Sequence, residues 1–371
     1  MNTTRAAEQI TASFRKLVRS DSKVHNAYLL VHSDRSGFHL NLAEGETETA
    51  SGRTVQAHPE QPVYMASVGK LFTAVLVAIL YEQGKLSFED RIADFLDPGL
   101  LDGLHIYQKQ DYTQQIRLKH LLNHTSGLHD YFEDKPAEGS GMVERLLDEP
   151  DRSYLPREIV TWSKENLKPH FPPGQGFHYS DTGYHLLGLV VEAVASIPFH
   201  AALSHYIFTP LEMKHAFLLG HSQPQEESPH PIAGVYVGRT NVIRYRSLSV
   251  DYAGGGVTAP LGDLLKFMQA LVQGRLLNVE TLERMDDCAR FTFGIDYCYG
   301  MMKIRTVPVL MPARFNGWGN AGSTGAFMFY HPGQDAYLIG SLNQFRYHVK
   351  GIRFMLRVID RLWKNDKHGS V

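Results

Sequence analysis

The spacing of apolar residues divides the chain into segments of different character. The first twenty residues, M-N-T-T-R-A-A-E-Q-I-T-A-S-F-R-K-L-V-R-S, set apolar positions among charged ones, which predicts an amphipathic helix. A-Y-L-L-V-H-S-D and F-H-L-N-L-A then flank R-S-G, the pattern of a β-hairpin with a glycine in its turn. From Val63 the run V-Y-M-A-S-V-G-K-L-F-T-A-V-L-V-A-I-L is almost wholly apolar and ends before Gly84, predicting a buried helix over 67–83. Between Gly84 and about Pro229 strand-like alternation is scarce. Helix-sized segments at 117–123, 156–167 and 182–196 recur between Pro and Gly, with Pro156 suited to a first turn. A helix is expected at 260–273 and strands at 297–305, 323–331 and 335–342. The segment R-Y-H-V-K-G-I-R-F-M-L-R-V-I-D-R-L-W-K, 346–364, predicts a closing helix packed on a sheet.

This order predicts an α/β (α+β) fold. Residues 1–65 and 231–371 would supply one antiparallel sheet with helices from both termini, and 66–230 a mostly helical insertion. The length of 371 residues suits about two interleaved units, with no internal repeat or low-complexity segment.

Composition narrows the partners. Hydrophobic residues at 43% and charged ones at 20% fit an ordinary globular chain, and a formal net charge of -2 without a basic tract argues against nucleic acid or an anionic membrane. No uninterrupted apolar segment of signal-peptide length opens the sequence, so a cytoplasmic protein is expected unless a leader has been removed. The two cysteines, Cys288 and Cys298, are too few for a disulfide framework and are expected to be free thiols.

Three stretches carry candidate chemistry. In the first, Ser67 and Lys70 stand three residues apart at the front of the buried helix, one turn apart on one face, so the amine could take the hydroxyl's proton. The second, P-P-G-Q-G-F-H-Y-S-D-T-G-Y-H-L-L-G, delivers Tyr179 and Asp181 on alternate residues toward one side. Read alone, these are more simply a packing residue and an N-cap. In the third, F-N-G-W-G-N-A-G-S-T-G-A-F-M-F-Y-H-P, glycines at 317, 319, 322 and 325 in a strand context imply close approach of a ligand or another backbone, and N-H groups there could bind an oxyanion. A-G-S-T-G around Ser323 is one residue short of the G-x-S-x-G nucleophile elbow and lacks its strand-to-helix continuation. His124 and His129 are closely spaced, but no third ligand stands near them in sequence and no metal or cofactor is expected.

Together the stretches resemble those of serine β-lactamases of class C and the related penicillin-binding proteins and esterases, whose motifs are S-x-x-K, Y-x-N and K-T-G or H-x-G. They stand here as Ser67-Val68-Gly69-Lys70, Tyr179-Ser180-Asp181 and Asn320-Ala321-Gly322, and L-L-N-H-T-S-G-L (121–128) and A-G-G-G-V-T-A-P-L-G-D-L-L-K-F (253–267) are similar to accessory segments of that family. The resemblance implies a β-lactamase/transpeptidase-like fold with the site between the two units. It implies that Ser67 is acylated with Lys70 as its neighbouring base, Tyr179 relays protons, backbone N-H groups of Ser67 and Ser323 form the oxyanion hole, and Asp181, Asn320 and Gly322 bind substrate. Whether Lys70 or Tyr179 deprotonates Ser67 is left open. The substrate would be a small-molecule or peptide ester or amide, and the oligomeric state is unspecified.

Two letters depart from the pattern. Asp181 replaces asparagine, and Asn320 replaces the lysine or histidine of the last triplet. Both make the site more negative, and charges about 4 Å apart interact by roughly 1–4 kcal/mol. Substrates bearing a carboxylate, penicillins included, should therefore bind poorly. The alternative is an inactive module that keeps the fold for binding or assembly, which the two departures favour and the intact Ser67, Lys70 and Tyr179 oppose.

Overall fold

The computed structural model describes residues 2–49, 52–308 and 310–367. Helix α1, Thr3–Arg19, buries Ala6, Ile10 and Phe14 on one stripe, as its spacing predicts. The hairpin follows as β1, Asn26–Ser33, and β2, Phe38–Glu48, with β3, Thr54–Gln56, added beyond it. Helix α2 spans Gly69–Glu82, α3 spans Asp181–Ala195, and α4 spans Leu261–Val272. Six strands come next: β4 (Ala289–Thr292), β5 (Ile295–Tyr297), β6 (Met302–Ile304), β7 (Gly317–Ala321), β8 (Phe327–His331) and β9 (Ala336–Ser341). Helix α5, His348–Lys367, closes the chain.

All nine strands form one antiparallel sheet in the order β4-β5-β6-β7-β8-β9-β1-β2-β3. The two ends of the chain meet where β1 pairs with β9, Leu30 opposite Ile339. Successive side chains of β1 point to opposite faces. Ala27, Leu29 and Val31 pack under α1 and α5, while Tyr28 and Leu30 face the helical layer. Both faces are covered, so Ala27 to Val31 reads as a continuous apolar run rather than an alternating one.

The helical layer is built around α2, whose residues from Gly69 to Ala78 are all buried. Each large apolar side chain there contributes about 1.5–3 kcal/mol relative to exposure. Phe72 stacks on Phe267 of α4 at 3.8 Å between ring centroids. Short helices Leu118–Leu122 and Pro156–Asn166, with α3, occupy the insertion as their periodicity predicts, joined by long irregular connections. Where the chain crosses between layers, Val63–Tyr64 pairs with Val257–Ala259, which in turn pairs with Phe217–Leu218. Among the described residues no single helix is long and apolar enough to cross a membrane.

Three local expectations are corrected. The strand expected at 297–305 is two strands, β5 and β6, joined by a turn in which the Cys298 N-H donates to the Met301 carbonyl. The strand expected at 323–331 begins only at Phe327, because 322–326 forms the β7–β8 turn, closed by Gly325 N-H to Gly322 O. Cys288 and Cys298 are bonded to each other rather than free. Their link follows from register: Ala289 pairs with Tyr297, so the two cysteines are the next residues outward on the same hairpin, with Cα atoms 3.9 Å apart.

Candidate active site

Ser67 lies in a 3-10 turn, Ala66–Val68, between the Val63–Tyr64 strand and α2, rather than inside the helix proper. Ala66 before it has φ +47, a conformation costing about 1–3 kcal/mol for a residue with a side chain. The turn is seated against the sheet by Gly322: a Cβ there would lie 2.8 Å from the Met65 carbonyl and 3.2 Å from the Ser67 nitrogen. The backbone of β7's end therefore reaches the nucleophile turn only without a side chain.

Lys70, in the first turn of α2, is fully buried. Its Nζ is 3.3 Å from Ser67 Oγ and donates to the Gly254 carbonyl at 2.6 Å and to Asp181 Oδ1. Gly69 admits this, since a Cβ there would meet the Gly255 carbonyl at 2.6 Å. Burial alone would lower the lysine's pKa, but Asp181, with smaller contributions from Tyr297 and Asp251, carries it above the ordinary value and keeps the ammonium charged. The Tyr179 ring lies 4.8 Å from the same Nζ, and its hydroxyl bonds the Ser67 side chain. Burial and then Asp181 push the Tyr179 phenol well above its usual pKa, so it stays protonated.

Asp181 is the first residue of α3, but the cap is Ser180, whose Oγ accepts from the Gly183 N-H. The carboxylate is thereby released to face Lys70. Asn320 does not reach substrate space. It is fully buried beneath β7, donating to the Tyr297 hydroxyl at 3.2 Å and the Gly300 carbonyl at 2.7 Å, while its Oδ1 accepts from Ala321 N-H. Ser67, Tyr179, Asp181, Gly322 and Ser323 instead line one cavity of about 470 Å³. His124 and His129 go to structural duties: His124 Nδ1 accepts from the Ser180 N-H, and His129 Nδ1 lies 3.4 Å from the Thr182 hydroxyl. Burial lowers both imidazoles, His129 to about 4, so both are neutral.

Three residues near the lysine escaped sequence reasoning. Asp130 accepts from the N-H groups of Phe132 and Asp181, and burial together with Asp181 raises it well above the carboxylate range. Asp251 accepts from Tyr64 and from the Gly256 N-H at 3.2 Å, next to Tyr252, whose φ of +30 is strained. Tyr297 stands between Asn320 and Lys70, pushed up to about 12 mainly by burial. The only sequence signal for any of these is proximity to a recognised segment, Asp130 after L-L-N-H-T-S-G-L and Asp251 before A-G-G-G.

Asp251 gives a pH-dependent expectation. Burial, then Asp181, raises its pKa to about 6 from 3.8. A folded-state pKa above the unfolded one means stability is greatest below 3.8 and is lost as pH rises through about 6. Asp251→Asn removes that loss while keeping an oxygen for Tyr64 and Gly256. The variant is expected to gain about 1–3 kcal/mol over wild type at pH 8 and nothing at pH 4. Thermal denaturation at the two pH values checks it, and an equal difference at both would refute it.

A family profile described as Beta-lactamase matches residues 14–356. The putative penicillin-binding protein PbpX of Bacillus subtilis is 28% identical over 297 residues, covering 77% of this chain and 66% of that protein. The chain spans 51% of a second relative from the same organism, Penicillin-binding protein 4*. Among solved structures, the D-amino acid amidase of Ochrobactrum anthropi SV3 complexed with L-phenylalanine superposes with a TM-score of 0.77 at 21% identity, covering 99% of each chain. EstCE1, described as a hydrolase with promiscuous acyltransferase activity, superposes at 0.75 and 19% identity, covering 97% of this chain and 99% of its own.

Proposed function

The chain belongs to the β-lactamase family, and on that premise we propose that it is a serine acyl hydrolase forming an acyl-enzyme on Ser67 and preferring esters or amides that carry an amine. One observation carries the reading: the Ser67 side chain is met from two sides by Lys70 and Tyr179 at the floor of an open cavity.

A serine hydroxyl is a weak nucleophile until a neighbour removes its proton. Lys70 and Tyr179 are both held protonated, so neither serves alone. The Lys70–Asp181 pair acts as a unit: as Ser67 Oγ bonds the substrate carbonyl carbon, its proton passes to Lys70 Nζ while Lys70 returns one to Asp181. The pair, net neutral at the start, becomes net positive as negative charge moves onto the carbonyl oxygen, which the backbone N-H groups of Ser67 and Ser323 receive. The Tyr179 phenol protonates the leaving group and recovers its proton from the protonated pair, which returns to net neutrality. Water repeats the sequence on the acyl-enzyme in reverse.

Substrate preference follows from charge. The cavity is lined by the carboxylates Glu133, Asp134, Asp181 and Asp251 and by Asp130, which burial and Asp181 hold in its neutral form, with no Lys or Arg among the described lining residues. An α-amine is favoured there and a carboxylate opposed, which agrees with the amino acid amidase among the structural relatives. The test is a parallel assay of D- and L-phenylalaninamide, their N-acetyl derivatives, p-nitrophenyl esters and benzylpenicillin. Free-amine substrates are expected to exceed N-acetyl ones in kcat/KM by about tenfold or more. Efficient benzylpenicillin turnover would overturn the preference.

One observation favours a second reading, a binding module that has kept the fold: Lys70 is already engaged by Asp181 and Gly254. Covalent labelling at Ser67 separates the two.

A further inference from the structure

At the mouth of the same cavity, two imidazoles converge on one carboxylate. His170 Nε2 lies 2.9 Å and His178 Nε2 3.1 Å from the same oxygen of Asp134, Oδ2, and the two rings stack at 3.5 Å between centroids. Their juxtaposition is built by the backbone. The 170–178 loop lies along 124–127, with His170 N-H donating to Gly127 O, Gly174 N-H to Thr125 O and His178 N-H to His124 O. That pairing returns two residues eight apart in sequence to the same place. The Asp130 N-H fixes the carboxylate at 2.8 Å.

We propose that Asp134, His170 and His178 form a binding site for a borderline divalent transition-metal ion such as Zn²⁺. Two histidine nitrogens and a carboxylate oxygen, with a fourth position open, are the donor set such ions take. Ligands about 2.0–2.1 Å from a tetrahedral ion lie roughly 3.3 Å from one another, so the Nε2 and Oδ2 atoms need to part by only a few tenths of an ångström. The ligand atoms of all three residues lie within 4.8 Å of one another. The ion takes the place of the Nε2 protons that now bridge to Asp134. The site adjoins the cavity, because Asp134 and His178 line it together with Ser67. Loading places positive charge in an otherwise acidic wall.

A second group of possible ligands, Asp286, Cys288 and Cys298, has its two sulfurs bonded to each other and is used as a control. The test is calorimetric titration of EDTA-dialysed, non-reduced protein with ZnCl₂, Co²⁺ absorption in the visible, and metal content after dialysis. One ion per chain is expected, with d–d bands of a low-coordinate Co²⁺ site. His178→Ala and His170→Ala should each weaken binding about 10–100-fold or more, while the Cys288→Ser, Cys298→Ser double variant binds as wild type. Far-UV circular dichroism of every variant without metal establishes that it folds. A folded His170→Ala, His178→Ala double variant with undiminished affinity, or a wild type that takes up no stoichiometric ion, would overturn the proposal.

Discussion

Replacing Ser67 by alanine is expected to abolish ester and amide hydrolysis, by about 10³–10⁶ in kcat, with little change in stability. Loss of a nucleophile removes the covalent path itself, and residual rate then comes only from binding and the oxyanion donors. The side chain makes few structural contacts: its Oγ meets Lys70 at 3.3 Å and the Tyr179 hydroxyl. Lys70 retains Asp181 and the Gly254 carbonyl. No buried group is left alone, so thermal denaturation of Ser67→Ala should track wild type within roughly 1 kcal/mol. Activity on a chromogenic ester, measured beside the melting curve, checks both halves. Full activity in a folded Ser67→Ala protein would remove the serine from the mechanism.

Lys70→Met is expected to do more damage, because it removes a catalytic group and a structural cation together. Lys70 is the one lysine or arginine among the described residues that is fully buried, and Asp130, Asp181 and Asp251 all interact with it or with one another. Breaking a buried ion pair by deleting one partner typically costs about 3–5 kcal/mol, whereas replacing both partners by neutral groups is often tolerated. Lys70→Met should therefore unfold well below wild type and lose activity by about 10³ or more. Adding Asp181→Asn should restore much of the stability and none of the activity. A double variant as unstable as the single one would mean that lost packing, not the unpaired carboxylate, causes the defect.

Much of the framework was legible because it repeats a physical pattern. The stripe of Ala6, Ile10 and Phe14, the apolar run of α2 and the continuous apolar run of β1 each state what they bury. Ser67, Lys70 and Tyr179 were legible through motifs, and the structure brings all three together with Asp181. What stayed hidden depends on contacts distant in sequence. Asp130 and Asp251 meet around a lysine from two segments more than a hundred residues apart, and only their nearness to recognised segments marks either. Asn320 aligned with a substrate-binding letter, yet its side chain is consumed by Tyr297 and Gly300. The disulfide was missed because two cysteines ten apart reveal nothing until a hairpin register sets them opposite. His170 and His178 were unassigned for the same reason, since only the pairing of their loop with 124–127 joins them.

The central claim is that Ser67, activated by its neighbours, becomes covalently acylated. Incubation with a fluorophosphonate probe followed by intact-protein and peptide mass spectrometry tests it most directly. One adduct per chain, located on Ser67 and absent from Ser67→Ala, is the predicted result. A wild type that gains no mass, or an adduct that persists in Ser67→Ala, would contradict it.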